Sequence, residues 1–285
     1  MPDFTLKTYR ELLFALKEKN YVFVKFEDYV KSGKLDSGQA GMTRQSRAGI
    51  AIIRHDVDRK PLNSLEIAKL ERSLEIKGTY YFRIVPESYD LQIMEKISKM
   101  GHEIGYHYED VDLVNVDCRM KNVELYKNNK DGYRDVLIDM AYESFCKNLE
   151  MMRRNCDIKT ICMHGSPSAK YDNKIIWEKH DYKKLGILGE PYLDIDWNEF
   201  GYFTDTGRRW NGNNVNVRDR VNAKYNFNLK TTHQLINNLY KLPDKIMFTI
   251  HPERWHSGML LWARELVWQN MKNVVKRVVA RRRGV

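Results

Sequence analysis

Gly49-Ile50-Ala51-Ile52-Ile53-Arg54-His55-Asp56-Val57-Asp58 is the stretch whose reading decides the fold. A short apolar run, Gly49 to Arg54, reads as a strand and ends on an ionisable cluster. Downstream, Pro61 to Ile76 carries apolar residues at helical spacing (Leu65, Ala68, Leu70, Leu74). Thr79 to Ile84 is an aromatic strand, Leu91 to Lys99 a helix, and Glu103 to His107 a strand opened by the turn residue Gly101. Asp139 to Arg154 is helical, Thr160 to His164 a strand, and Ile246 to His251 a late, nearly all-apolar strand. Upstream, Leu6, Tyr9, Leu12, Leu13 and Leu16 mark an amphipathic helix, and Tyr21 to Phe26 a first short strand. Such alternation predicts repeated β-α units, and 285 residues suit one α/β barrel. The expected division is a single distorted (β/α) barrel over 1–258 and a basic amphipathic helix over 259–285. Val116 to Arg134 reads as an insertion or a loosely ended helix, and Thr204 to Asp219 as a long loop.

One pattern recurs. The strand through Ile52 ends in His55, Asp56 and Asp58, that through Ile104 in His107, that through Cys162 in His164, and that through Phe248 in His251. In a parallel barrel the carboxyl ends converge on one face, where active sites are built. A lone strand-end histidine is usually structural. Four together are hard to explain as packing, because each would be a buried polar group needing its own partner.

Asp56 and Asp58, one residue apart, would share a face of a regular strand. One carboxylate can bind a metal while the other accepts a proton from water. Histidine and carboxylate donors suit zinc, cobalt, nickel or iron. Three protein ligands suffice where a position stays open for water.

Arg54-His55-Asp56-Val57-Asp58, Gly101-His102-Glu103-Ile104-Gly105-Tyr106-His107 and Ile250-His251-Pro252 resemble, in order, motifs of the polysaccharide deacetylase (NodB-homology) family of carbohydrate esterases. The resemblance spans about Gly49 to His256. It implies a distorted barrel of the polysaccharide deacetylase type and a metal-dependent hydrolase acting on a carbon–nitrogen bond. The substrate it implies is an N-acetylated sugar of a poly- or oligosaccharide, and the cofactor a divalent metal, expected to be zinc. It also implies roles: Asp56 as general base, Asp58 and His107 as metal ligands, and His251 as the acid that protonates the leaving amine. The chain departs from the family where a second histidine would follow His107 by four residues, at Val111, and where Met163-His164-Gly165-Ser166-Pro167 stands for the third motif. His164, or else Glu109, is then left to complete the metal set. The loss at Val111 also motivates an alternative, a catalytically degenerate barrel that binds carbohydrate. Asp196, Trp197, Arg208 and Trp210 are the expected substrate-binding residues. His55, His102, His180 and His233 read as packing or surface residues.

Composition narrows the partners. The net charge of +10 raises a nucleic-acid reading, but much of the excess sits near the C-terminus and no recognised binding motif accompanies it, so none is expected. Along 259–285, Leu260, Trp262, Leu266, Trp268, Met271, Val275 and Val278 recur at helical spacing beside Arg264, Lys272, Lys276 and Arg277. That pattern allows either packing on the barrel or peripheral contact with an anionic membrane. The four cysteines, Cys118, Cys146, Cys156 and Cys162, form no C-x-x-C pair, and Cys162 reads as a small core residue. The opening residues lack a basic start followed by an apolar run, so the expected setting is cytoplasmic, with a peripheral place at the inner membrane face if the tail binds lipid.

Overall fold

Every residue of β2 (Gly49–Val57) is buried. A strand dry on both faces belongs inside a parallel sheet with helices packed over it. The computed structural model describes residues 2–33, 48–120, 130–166, 169–210, 221–258, 262–264 and 267. Around β2 the elements run α1 (Leu6–Glu18), β1 (Tyr21–Phe23), α2 (Phe26–Lys31), then α3 (Pro61–Ser73), β3 (Thr79–Phe82), α4 (Leu91–Lys99), β4 (Glu103–Tyr108), α5 (Asp110–Met120) and α6 (Lys130–Arg153). The second half adds β5 (Ile161–Met163), α7 (Pro191–Asp194), β6 (Phe200–Thr204), α8 (Thr232–Asn237) and β7 (Lys245–Ile250).

All strand pairings are parallel, in the order β5-β4-β3-β2-β7-β6. One edge of β2 is shared: β1 pairs with Gly49–Ala51, and β3 with Arg54–Val57. The result is an α/β fold whose sheet curls into a half-barrel. Among the described residues β5 and β6 do not pair, so the ring is open there. A chain segment lies along the β5 side of the gap: Leu188 N donates to Lys159 O at 2.8 Å and Ile161 N to Gly189 O at 3.1 Å. Tyr192, three residues after Gly189, accepts from Arg54 Nη2 at 2.9 Å.

Strand alternation sorts side chains between two layers. His55 faces the helices: its Nε2 is 2.7 Å from Glu71 Oε1, and its ring stacks on Tyr80 at 4.0 Å. Glu71 also accepts from Tyr9 OH at 2.6 Å and Tyr80 OH at 2.7 Å, which ties α1, α3, β2 and β3 together. Arg54 and Asp56, on either side of His55, therefore face the concave interior. By the same alternation Tyr81, Gly105, His107 and Cys162 line that interior from β3, β4 and β5.

Three expectations change. The first strand stops at Phe23 because the chain turns into α2, whose first amides are held by the sheet: Phe26 N by Thr79 Oγ1 at 2.9 Å and Glu27 N by Glu103 Oε2 at 2.9 Å. The expected long loop from Thr204 starts on the last residue of a strand, β6, that the pattern did not reveal. The helix expected from Asp139 begins at Lys130. Most of 259–285 lies outside the described residues; Trp262, which is described, donates from Nε1 to Asp3 O at 2.6 Å and so rests on the N-terminal segment. No helix among the described residues is long and apolar enough to cross a membrane.

Gly105 sits under the Tyr81 ring, and a Cβ there would overlap that ring and approach Thr160 O to 3.0 Å. Gly105→Ala should therefore cost about 1–3 kcal/mol by overpacking in a chemical denaturation series. An unchanged midpoint would show that β3 and β4 are not packed this closely.

Candidate functional site

The carboxyl ends of β2, β4, β5, β6 and β7 deliver ionisable groups to one rim. Asp56 is buried, and its Oδ2 accepts from Arg54 Nη2 at 2.8 Å. Arg54 is itself fully buried, with its guanidinium 4.7 Å over the Tyr192 ring. Burial alone would raise the Asp56 carboxyl, but the Arg54 charge, helped by His107 and His251, outweighs it and holds the group below its ordinary range. Asp56 Oδ1 is buried without a hydrogen-bond partner.

Asp58, just past the strand, meets two imidazoles. His107 Nε2 and His164 Nε2 each lie 3.6 Å from Asp58 Oδ1. Their rings stand edge to face, with centroids 5.3 Å apart. Each ring meets an oxygen at its other nitrogen: His107 Nδ1 is hydrogen-bonded to Cys162 O at 2.9 Å, and His164 Nδ1 approaches the Glu109 carboxylate, 3.0 Å from Oε2. Glu109 is gripped in turn by Arg83, whose Nε and Nη2 donate to its two oxygens at 2.8 and 2.7 Å. Arg83 Nη1 also donates to Asp58 O at 3.2 Å. Against the cost of burial, contact with His107 and the charges of His164 and His251 keep Asp58 well below the carboxylate range. Likewise the partners of Glu109, His164 and Arg83, overcome burial and bring it to about 2.

His251 follows β7, one position beyond the His55↔Ile250 pairing and hence beside Asp56. Its Nδ1 lies 2.7 Å from Asp205 Oδ1, and its backbone N donates to Oδ2 at 2.9 Å. Asp205 also accepts from Arg254 Nη1 at 2.6 Å and Trp255 Nε1 at 2.7 Å. Burial and Arg254 would lower the His251 pKa, but Asp205 prevails and lifts it to about 9.

A metal ion could be held here by a buried group of Asp56, His107 and Cys162, whose donor atoms all lie within 4.8 Å of one another. The Asp58 oxygen and its two imidazoles are a second convergence around the same His107. Their 3.6 Å separations are close to the roughly 3.3 Å between two donors held tetrahedrally at about 2.0 Å from zinc. The buried Asp56 Oδ1 and Asp58 Oδ1, both lacking a hydrogen-bond partner, fit a cation at this rim. The pairing of each imidazole Nδ1 with an oxygen fits it too, because that contact fixes ring orientation and leaves Nε2 for a ligand. No family model matches the chain, and no curated protein matches it.

Of the expected site residues, Asp56, Asp58, His107, His164 and His251 come together at this rim. Glu109 does not join Asp58 directly; it stands behind His164 as its carboxylate partner. The expected substrate-binding residues lie elsewhere. Asp196 and Trp197 precede β6, whereas the rim is formed where strands end; Asp196 is exposed and caps the turn at Asn198 N, 2.9 Å away, and Trp197 packs edge-on against Tyr202. Arg208 spends its guanidinium on Arg254 O at 3.0 Å and Asp3 O at 3.1 Å, bracing the N-terminal segment against the turn after β7. Trp210 is a core residue, with Nε1 on Thr232 Oγ1 at 3.1 Å and its ring against Phe4 and Phe248. The reading missed Asp205, Arg54 and Arg83. Arg54 was signalled by its place two residues before Asp56, on the same face. Asp205 would have followed from the strand-end rule had Phe200–Thr204 been recognised as a strand.

Two outcomes follow from these contacts. In metal-free protein the raised His251 pKa, about 9 against an ordinary 6.5, contributes stability that is complete below pH 6.5 and lost as pH climbs through 9. Asp205→Asn should lower the imidazole midpoint seen by NMR and flatten that decline; an unmoved midpoint would contradict the pairing. Glu109→Gln should weaken metal affinity about 10- to 100-fold through His164 in a competition titration with a chelating dye. Unchanged affinity would remove Glu109 from the support of the site.

Proposed function

We propose that this chain is a metal-dependent hydrolase that removes the acetyl group from an N-acetylated sugar of a poly- or oligosaccharide. The observation that carries the reading is Asp58 Oδ1 at 3.6 Å from Nε2 of both His107 and His164, each ring meeting an oxygen at Nδ1. The substrate class rests on the motifs around Asp56, His107 and His251 and their resemblance to polysaccharide deacetylases, as does a barrel of that type. Asp58, His107 and His164 would hold the ion; their nitrogen and oxygen donors suit a first-row dication, and zinc is the choice that the resemblance implies. Such an ion supplies a Lewis acid that polarises the amide carbonyl and makes water more acidic.

The chain's own residues supply the proton transfers. Arg54 fixes one oxygen of Asp56 and keeps the carboxylate ionised, leaving Oδ1 to take the proton of the attacking water. Across from it, Asp205 holds His251 by Nδ1 and favours the imidazolium. From Nε2 the imidazolium would deliver a proton to the departing amine nitrogen. The two groups thus start in the protonation states that base and acid require. The alternative of a degenerate, carbohydrate-binding barrel arose from Val111; the approach of His164 Nε2 to 3.6 Å from Asp58 Oδ1 supports a third ligand and so favours the hydrolase.

Asp56→Asn should retain metal at the wild-type stoichiometry while acetate release from N-acetylglucosamine oligomers falls roughly a hundredfold to ten-thousandfold. Asp58→Asn and His164→Ala should lose the metal itself. Undiminished turnover in Asp56→Asn would reject its role as base, and loss of metal would make it a ligand instead.

A further inference from the structure

Cys162 has no part in the hydrolysis just described, yet it stands among groups that a cation would use. Its Sγ, a carboxylate oxygen of Asp56 and a ring nitrogen of His107 lie within 4.8 Å of one another, and all three residues are buried. The register pairs His107 directly with Cys162, so imidazole and thiol project from adjacent strands into the same concave interior. His107 Nε2 is poised between the two carboxylates, 3.6 Å from Asp58 Oδ1 and 3.9 Å from Asp56 Oδ2. Asp56 Oδ1 is buried without a hydrogen-bond partner.

We infer that Asp56, His107 and Cys162 form a second, inner metal position that selects a soft, thiophilic cation and that shares His107 with the Asp58 position, so that only one of the two is filled at a time. The exclusion half of this inference rests on the hydrolase reading; the thiolate half does not.

Selectivity follows from the donors. Thiolate sulfur prefers soft ions, whereas the carboxylate and two imidazoles around Asp58 suit a borderline ion. On coordination the Sγ–H bond breaks, its electron pair goes to the cation and its proton to solvent. That proton release matters electrostatically. The Arg54 guanidinium, 2.8 Å from Asp56 Oδ2, opposes an incoming dication; a new thiolate offsets one of the two added charges. Near the Asp58 position the Arg83 guanidinium is paired with the Glu109 carboxylate rather than with a proposed ligand, whereas Arg54 is paired with Asp56 itself. An occupant there would hold both the base and a ligand of the outer position, and would stop hydrolysis.

Cadmium is the probe, and the full chain with Cys118, Cys146 and Cys156 changed to serine is the background. Titration with cadmium chloride should raise a thiolate-to-cadmium charge-transfer band that saturates at a single ion per chain and persists in Asp58→Asn. The band should vanish in Cys162→Ser. Asp56→Asn, which keeps the thiol, should weaken cadmium binding by about tenfold or more; this variant carries the test if Cys162→Ser does not fold. Zinc loaded first should suppress the band until it is displaced. Absence of the band from the serine background, or unchanged cadmium affinity in Asp56→Asn, would overturn the inner position. A full band with zinc still bound would overturn the sharing of His107. A persistent band in a protein that binds no zinc would sink the hydrolase reading while leaving the thiolate position standing.

Discussion

Two carboxylates buried at the end of one strand set the terms for the rest of the structure. Asp56 and Asp58 bring negative charge into an interior where an unpaired ion costs several kcal/mol. Each is compensated, but by groups from different strands. Arg54 comes from β2 itself, His107 from β4, His164 from the end of β5, and His251 from the end of β7. Only strands that all point the same way can bring those ends together, which is why the parallel sheet and the charge cluster are one design. The compensation is incomplete at two oxygens, Asp56 Oδ1 and Asp58 Oδ1, and those gaps are where chemistry has room.

The same strand serves a second task on its other face. His55 turns to the helices and meets Glu71, which also holds Tyr9 and Tyr80. This network fastens α1 and α3 to the back of the sheet directly behind the site. His102 belongs to the same side, accepting from Gly78 N at 3.0 Å and reaching Ala68 O at 3.1 Å. Alternation along β2 thus sends Arg54 and Asp56 to the rim chemistry and His55 to the scaffold, and a shift of one residue in register would exchange those tasks. Both faces are dry, so specific contacts fix the register: His55 meets Glu71 behind the sheet, and Asp56 meets His107 inside it.

Much of this was legible in the sequence because strand ends are marked by composition. Apolar runs closing on His55-Asp56-Val57-Asp58, His107, His164 and His251 located the rim; alternation assigned His55 to packing, and its place ahead of a strand made His102 structural. Legibility failed where the decisive contact is tertiary. Nothing near Glu109 in the sequence says that Arg83 will claim both its oxygens, so its choice between ligand and supporting carboxylate needed the fold. Trp210 beside two arginines resembled a sugar platform, but its indole finds Thr232 and its ring finds Phe4 and Phe248, residues far away along the chain. β6 was hidden because Gly201 and Tyr202 break up a run whose Phe200 and Phe203 are buried. With the strand went Asp205, the carboxylate that sets the state of His251.

The central claim is that Asp58, His107 and His164 surround one cation. Anomalous diffraction at the zinc edge from crystals of the zinc-loaded protein tests it most directly. The account predicts an anomalous peak bounded by Asp58 Oδ1 and the Nε2 atoms of His107 and His164, with Glu109 still behind His164. A zinc-loaded crystal with no peak there, or with the peak ligated by other side chains while Asp58 and His164 turn away, would contradict it.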